Sequence, residues 1–284
     1  MNLHFTKYRI STITSNAKIL LKDNEERIDI NLITLFDNIN INDNDESECY
    51  VYTSRFENKS SVNKIVRGNY IKKKRTIQHK RTFDNQISFV YKFADNYYVN
   101  VKVFQNGSLH ITGSRKVEDI AVPLEKLIKE IKDGNINILK NEDYNINDVI
   151  YADISILMIN TDFKIFKEPE CINKFSIKRR TLHTILINDY NMIARFDPST
   201  YPGVKIEYWW NSENDSRDAS NHYDKRNVKS KSNVKEGIKK ITIAVFESGS
   251  ILITGAITIE QVDETYKFIC DIIEKNKEII YFNI

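Results

Sequence analysis

The chain has 284 residues, enough for one large domain or two ordinary ones with a sizeable core. Apolar residues make up 41%, which excludes a disordered chain, while a net charge of only +3 means that nucleic-acid binding has to be read from where the charges lie. Three cysteines at unrelated spacings, Cys49, Cys171 and Cys270, exclude a disulfide framework and point to a reducing compartment. The opening residues lack the apolar run of a signal peptide, and no stretch reaches the roughly 18 apolar residues of a membrane span. A soluble intracellular protein is the expectation.

In chain order, Lys7–Thr14 reads as a strand and Ile30–Ile39 as a short helix. Residues 40–85 read as an insertion, acidic at first (Asp43, Asp45, Glu46, Glu48) and then basic, with Lys72, Lys73, Lys74 and Arg75 in a row. Strands follow at Gln86–Phe93 and Tyr97–Phe104, and a tight turn at Asn106-Gly107 leads into a third. From Val117 to Asp133 the apolar residues recur at steps of three and four, the mark of an amphipathic helix that starts or kinks at Pro123. After a link over 134–147 the order returns: a strand over Tyr151–Thr161, a helix over Thr181–Ile193, strands at Gly203–Trp210 and Ile241–Phe246, a turn at Ser248-Gly249, and a last amphipathic helix. A polar, Asn- and Ser-rich loop over 211–236 interrupts this second series.

The two series are alike in residues as well as in order. VFQNGSLHITG at 103–113 and VFESGSILITG at 245–255 coincide at a constant offset of 142, and the apolar positions of the helices behind them keep the same offset. This predicts an internal duplication, with repeats at 1–147 and 148–284.

The order, duplication and spacing resemble the TATA-box-binding protein (TBP) family, whose repeats carry a Phe, a short Ser/Gly turn and a strand ending Thr-Gly. Phe104…Gly107…Thr112-Gly113 and Phe246…Gly249…Thr254-Gly255 match that pattern, and Phe196-Asp197-Pro198-Ser199-Thr200-Tyr201-Pro202-Gly203 is similar to the family's stretch before Phe-Pro-Gly. The resemblance implies an α+β fold in which two tandem repeats form a saddle-shaped antiparallel sheet of ten strands with helices on the convex face. It implies a transcription initiation factor that binds and bends A·T-rich promoter DNA through the minor groove, with a TFIIB-type factor and RNA polymerase machinery as protein partners. Kinking of DNA by inserted apolar side chains is how TBP serves as a standard example of minor-groove binding.

Carried over residue by residue, Phe104 and Phe246 match the inserting positions, and Tyr201 matches the partner of the second kink. Phe83, Gln86 and Ile87 are all candidates for the partner of the first. Because strand side chains alternate faces, Lys102, His110 and Thr112 share the face of Phe104, and Ala244, Leu252 and Thr254 that of Phe246. Ile10, Thr12 and Met158 come from the first strands. Lys72, Lys73, Lys74 and Arg75 are candidates for phosphate contact or for a solvated loop or targeting signal. Asp197, Pro198 and Ser199 stand where the family meets its TFIIB-type partner. The family's central Asn on each first strand is replaced here by Tyr8 and Ile156, with Asn160 one short register slip away. Such departures, and the AT-rich codon bias behind the Asn, Ile and Lys content, fit TBP-like proteins of large DNA viruses, acting in the nucleus or a viral cytoplasmic factory.

No phosphate-cradling Gly loop, nucleophile elbow, HExxH or His/Cys cluster occurs, so neither catalysis, metal nor cofactor is expected. The rival readings are a protein-interaction platform that has lost DNA binding and, more remotely, an accessory part of a nucleic-acid enzyme.

Overall fold

The structure, a computed structural model, describes residues 3–22, 28–41, 49–57, 65–68, 86–94, 97–141, 143–167, 175–212 and 238–283. The chain divides into two compact units, Thr12–Ile156 and Met1–Ser11 with Leu157–Ile284. The elements begin with β1 (Leu3–Phe5), β2 (Arg9–Leu21), α1 (Leu32–Asn38), β3 (Cys49–Glu57), β4 (Ile65–Gly68), β5 (Gln86–Phe93), β6 (Tyr98–Phe104), β7 (Ser108–Ser114) and α2 (Val122–Asp133). They continue with β8 (Val149–Lys167), β9 (Phe175–Ile177), α3 (Arg179–Asn188), β10 (Ile193–Asp197), β11 (Tyr201–Asn211), β12 (Ile238–Val245) and β13 (Ser250–Ala256). The chain closes with α4 (Ile259–Lys275), α5 (Lys277–Ile280) and β14 (Tyr281–Asn283). The α+β class is as expected.

In the unit Thr12–Ile156, antiparallel strands run in the order β2, β7, β6, β5, β3, β4. The period of two is plain in β6, where Val99, Val101 and Val103 are fully buried and Asn100, Lys102 and Phe104 lie half-buried on the other side. Helices α1 and α2 cover the apolar side. Leu35, Leu124, Leu127 and Ile131 are fully buried there, each worth roughly 1.5–3 kcal/mol of hydrophobic stabilisation. Helix α2 starts at Val122 with Pro123 in its first turn, where no backbone N–H is needed, and a short 3-10 turn at Glu118–Ile120 leads into it.

The other unit orders its antiparallel strands β10, β11, β12, β13, β8, with β1 on β8 and a separate pair of β9 and β14. Helices α3 and α4 pack Leu182, Leu186, Val262, Ile269 and Ile273 toward the apolar side of these strands. Thr258 caps α4 by accepting from Gln261 N at 3.2 Å, while Gln261 Oε1 accepts from Ile257 N at 2.8 Å, a reciprocal capping pair. Residues 1–11 belong here because Tyr8 donates to Asp263 of α4 (2.6 Å), Tyr266 donates to the Thr6 carbonyl (2.9 Å) and Arg9 pairs with Asp162 (2.8 Å).

Four expectations change. Residues 40–85 are not simply an insertion, because β3 pairs along its length with β5 and β4 pairs with β3. The flanking charge runs hid a segment whose own residues, Cys49-Tyr50-Val51-Tyr52-Thr53, are good strand formers. With β1, β9, β10 and β14 also unread, the described residues hold fourteen strands, of which β9 and β14 form a separate pair, where a sheet of ten was expected. The helix expected over Thr181–Ile193 is Arg179–Asn188. The hairpin connections have three residues (105–107) and four (246–249), not two, with Gly107 (φ +78°) and Gly249 (φ +77°) at their ends in the left-handed region.

The Thr-Gly pairs mark bulges. Ile13 faces Ser114 and Thr14 faces Thr112, so Gly113 is the extra residue of β7. Gly255 is likewise skipped between Thr254 and Ala256 on β13. At Gly113, φ is +102° and a Cβ would lie 2.5 Å from the Tyr98 carbonyl oxygen, so only glycine fits.

Candidate nucleic-acid interface

Each unit leaves one sheet face uncovered by its helices, and the side chains there are half-buried, mixed in chemistry and set by strand register. In Thr12–Ile156 the register places Phe104 opposite Gln86, Lys102 between Ser88 and His110, and Thr112 between Asn100 and Thr14. Asn16 faces His110, with Asn16 Oδ1 2.8 Å from Nδ1 of the ring. Burial and the nearby Lys102 charge hold the His110 pKa below its ordinary value. Phe104, Lys102, His110, Asn16, Lys18 and Asp153 line a groove of about 770 Å³ on this face. Lys18 and Asp153 pair at 2.8 Å.

Of the candidates for the partner of Phe104, Ile87 is fully buried on the helix side and Phe83 lies outside the described residues. Gln86 is the cross-strand neighbour.

In the other unit, Thr242, Ala244, Leu252 and Thr254 share a hollow with Arg195, Tyr201, Lys205 and Glu207. Register puts Asp162 beside Leu252 and Asn160 beside Thr254. Met158 precedes them by alternation, and all three point away from the buried Ile159, Thr161 and Phe163. The Tyr201 and Phe246 rings lie 5.7 Å apart at one end of this face, and Lys205 Nζ sits 4.0 Å over the Tyr201 ring.

Next to these rings in the chain fold lies a bridge made by Arg179, at the first position of α3. Its guanidinium donates to the Pro202 carbonyl (2.5 Å) and to the Glu247 carboxylate, so one side chain ties the turn carrying Tyr201 to the turn carrying Phe246. Nothing in the sequence pattern singled Arg179 out. Its partners lie 23 and 68 residues away, beyond any local motif.

The carboxylates on these faces were also unread. Asp162 is paired with Arg9, and Glu207 lies 3.8 Å from Arg195. Trp210 donates to Glu264 of α4 at 2.5 Å, so its neighbour Trp209 falls on the opposite side of β11, with Lys205 and Glu207.

Against this geometry stand the likenesses to known proteins. The family model described as "Transcription factor TFIID (or TATA-binding protein, TBP)" matches residues 212–276. A "TATA-box-binding protein-like" protein of Acanthamoeba polyphaga mimivirus is 28% identical over 202 residues, 69% of this chain and 49% of that protein. The TATA-box-binding protein of Methanothermococcus thermolithotrophicus is 37% identical over 59 residues, 20% of this chain and 33% of that one. In sequence the chain is similar to TBP and TBP-like proteins. It spans about half the length of the mimivirus relative. The solved Methanococcus jannaschii TBP overlays on 95% of this chain and 99% of its own at 15% identity with a TM-score of 0.49, too loose an overlay to carry an argument.

The remaining expected site residues divide three ways. Thr12 Oγ1 accepts from Gly113 N at 3.1 Å and so helps hold the bulge, while Ile10 is half-buried in β2. Tyr8 turns to the helix side, toward Asp263. Burial and that carboxylate push its phenol up to about 12. Asp197, Pro198 and Ser199 form an exposed turn, but the Asp197 carboxylate is engaged within it: Oδ1 accepts from Ser199 N (3.1 Å) and Ser199 Oγ (2.6 Å), and Oδ2 from Thr200 Oγ1. These bonds hold Asp197 below the usual carboxylate range. Lys72, Lys73, Lys74 and Arg75 lie outside the described residues, as does the 211–236 loop from residue 213. Among the described residues no helix is long and apolar enough to cross a membrane.

Proposed function

We propose that this chain is a transcription initiation factor of the TBP type that binds duplex DNA through the minor groove and bends it. The observation that carries the reading is the Tyr201–Phe246 ring pair, half-buried at the end of an open sheet face beside the Arg179 bridge. Such a pair is an apolar wedge; unstacking a base step costs a few kcal/mol, offset by contact along the bent duplex. Phe104 stands at the matching place of the other unit, one offset of 142 earlier.

A duplication of the unit supports the second wedge. Ile30 N donates to the Gln105 carbonyl (2.7 Å) and Ile177 N to that of Glu247 (2.9 Å), so each hairpin tip is tied by a like bond whose acceptor residues differ by 142. Both faces carry small hydroxyl and apolar groups of the kind that pack on an A·T minor-groove floor. The repeats 1–147 and 148–284, an A·T-rich promoter, a TFIIB-type partner at Asp197–Ser199 and phosphate contact by Lys72–Arg75 belong to the same proposal. No chemical step is assigned to the chain.

One observation favours the platform reading instead. Asp153, Asp162 and Glu207 place carboxylates on the very faces a polyanion would meet. A bending assay separates the two: donor and acceptor dyes at the ends of a short A·T-rich duplex should approach when the chain is added at low salt. Unchanged transfer, with no retardation of the duplex at any salt, favours the platform.

A further inference from the structure

Asn16 and His110 meet across β2 and β7 through Asn16 Oδ1 and His110 Nδ1 at 2.8 Å. An amide oxygen only accepts, so Nδ1 is the donor of this bond. The ring is held toward its neutral form by burial and by Lys102. A neutral imidazole that donates through Nδ1 keeps a lone pair on Nε2, the nitrogen at the tip of the ring. The same bond turns the Asn16 NH2 into a second, fixed donor lining the groove. The pair therefore offers one acceptor and one donor side by side.

The minor groove gives those two groups different things to meet. A·T pairs present only acceptors, whereas G·C adds the guanine 2-amino donor. His110 Nε2 has no partner on an A·T pair and has one on G·C, while the Asn16 amide donates to the N3 or O2 acceptor present on either. At the corresponding place of the other unit, register sets Leu252 beside Asp162, whose carboxylate is taken by Arg9. Leucine offers no acceptor.

We propose that Asn16 and His110 are a base-reading pair, His110 Nε2 accepting from a guanine 2-amino group, so that the bound site contains one preferred G·C pair in the half met by Thr12–Ile156 and none in the half met by Leu252. This rests on the DNA reading above. It gives the bound sequence a direction that two equivalent faces would not.

Inosine tests it, because I·C lacks the 2-amino group and is otherwise like G·C. The tightest-bound duplex of a random pool is rebuilt with each base pair in turn as A·T, G·C or I·C, and the affinity of the full chain is measured by competition. At one position the G·C duplex should bind about two- to tenfold tighter than I·C, the worth of one hydrogen bond. His110→Leu, which copies the residue at the corresponding place, should abolish that difference between G·C and I·C. His110→Gln, which keeps an acceptor, should retain part of it. Equal affinity for G·C and I·C at every position overturns the inference and leaves DNA binding standing. A preference that survives His110→Leu overturns the assignment to His110. Failure to bind any duplex removes the DNA reading, and this inference with it.

Discussion

Tyr201 and Phe246 meet over a residue that has no side chain. A Cβ on Gly203 would lie 3.0 Å from Tyr201 Cε1 and 3.1 Å from Phe246 Cε1, so the glycine is where the two rings rest on the backbone. Gly203→Ala should spread the rings while leaving the buried strand residues Val204 and Ile206 in place. The expected result is a melting temperature lowered by no more than overpacking of about 1–3 kcal/mol implies, with a larger fractional loss of duplex bending. Paired calorimetry and dye-transfer measurements check this.

Arg179→Ala should act on the same rings from the other side. It removes two donors that bridge Pro202 and Glu247, and it leaves the α3 core contacts of Leu182 and Leu186 intact. Bending should fall while folding persists, and Arg179→Lys should restore little, because one ammonium does not reproduce the fork. If Arg179→Ala bends DNA as the wild type does, the bridge has no part in positioning the wedge.

Phe104→Ala combined with Phe246→Ala measures wedge against core. Both side chains are half-buried. The loss of stability should therefore fall well short of the roughly 3–5 kcal/mol of a buried Phe→Ala change, whereas bending should be abolished. A double variant that unfolds at ordinary temperature would assign the rings to the core.

Removing the carboxylates from the faces should tighten DNA binding. Asp162→Asn and Glu207→Gln leave Arg9 and Arg195 without their acidic partners and take away repulsion from phosphate. Affinity should rise most at low salt, and the slope of log affinity against log salt should steepen if the freed arginines reach phosphate, by about 0.9 for each new contact. A series of titrations across salt concentration reads the slope directly.

His110 sets a pH dependence of stability. Its folded pKa lies below the ordinary 6.5, so between the two values the unfolded chain binds more protons and stability rises with pH. The contribution is complete above the unfolded value and is lost as pH falls through the lowered folded value. His110→Leu should flatten that part of the stability curve in urea melts at a series of pH values.

Much of this was legible in the sequence, because it rests on local rules. Period-two alternation in Tyr98–Phe104 and the three-and-four spacing of Leu124, Leu127 and Ile131 fix which side of each element is buried. The offset of 142 between the hairpins predicted two like units, and Thr-Gly in each marked a place where the backbone itself is constrained. Tertiary structure decided what depends on partners far apart in the chain: that β3 pairs with β5 across masking charge runs, that Tyr8 turns to Asp263, that Arg179 gathers Pro202 and Glu247, and that Asn16 comes to face His110. Propensity and periodicity speak for a few residues at a time, whereas a hydrogen bond between residues 94 apart exists only once register has set two strands side by side.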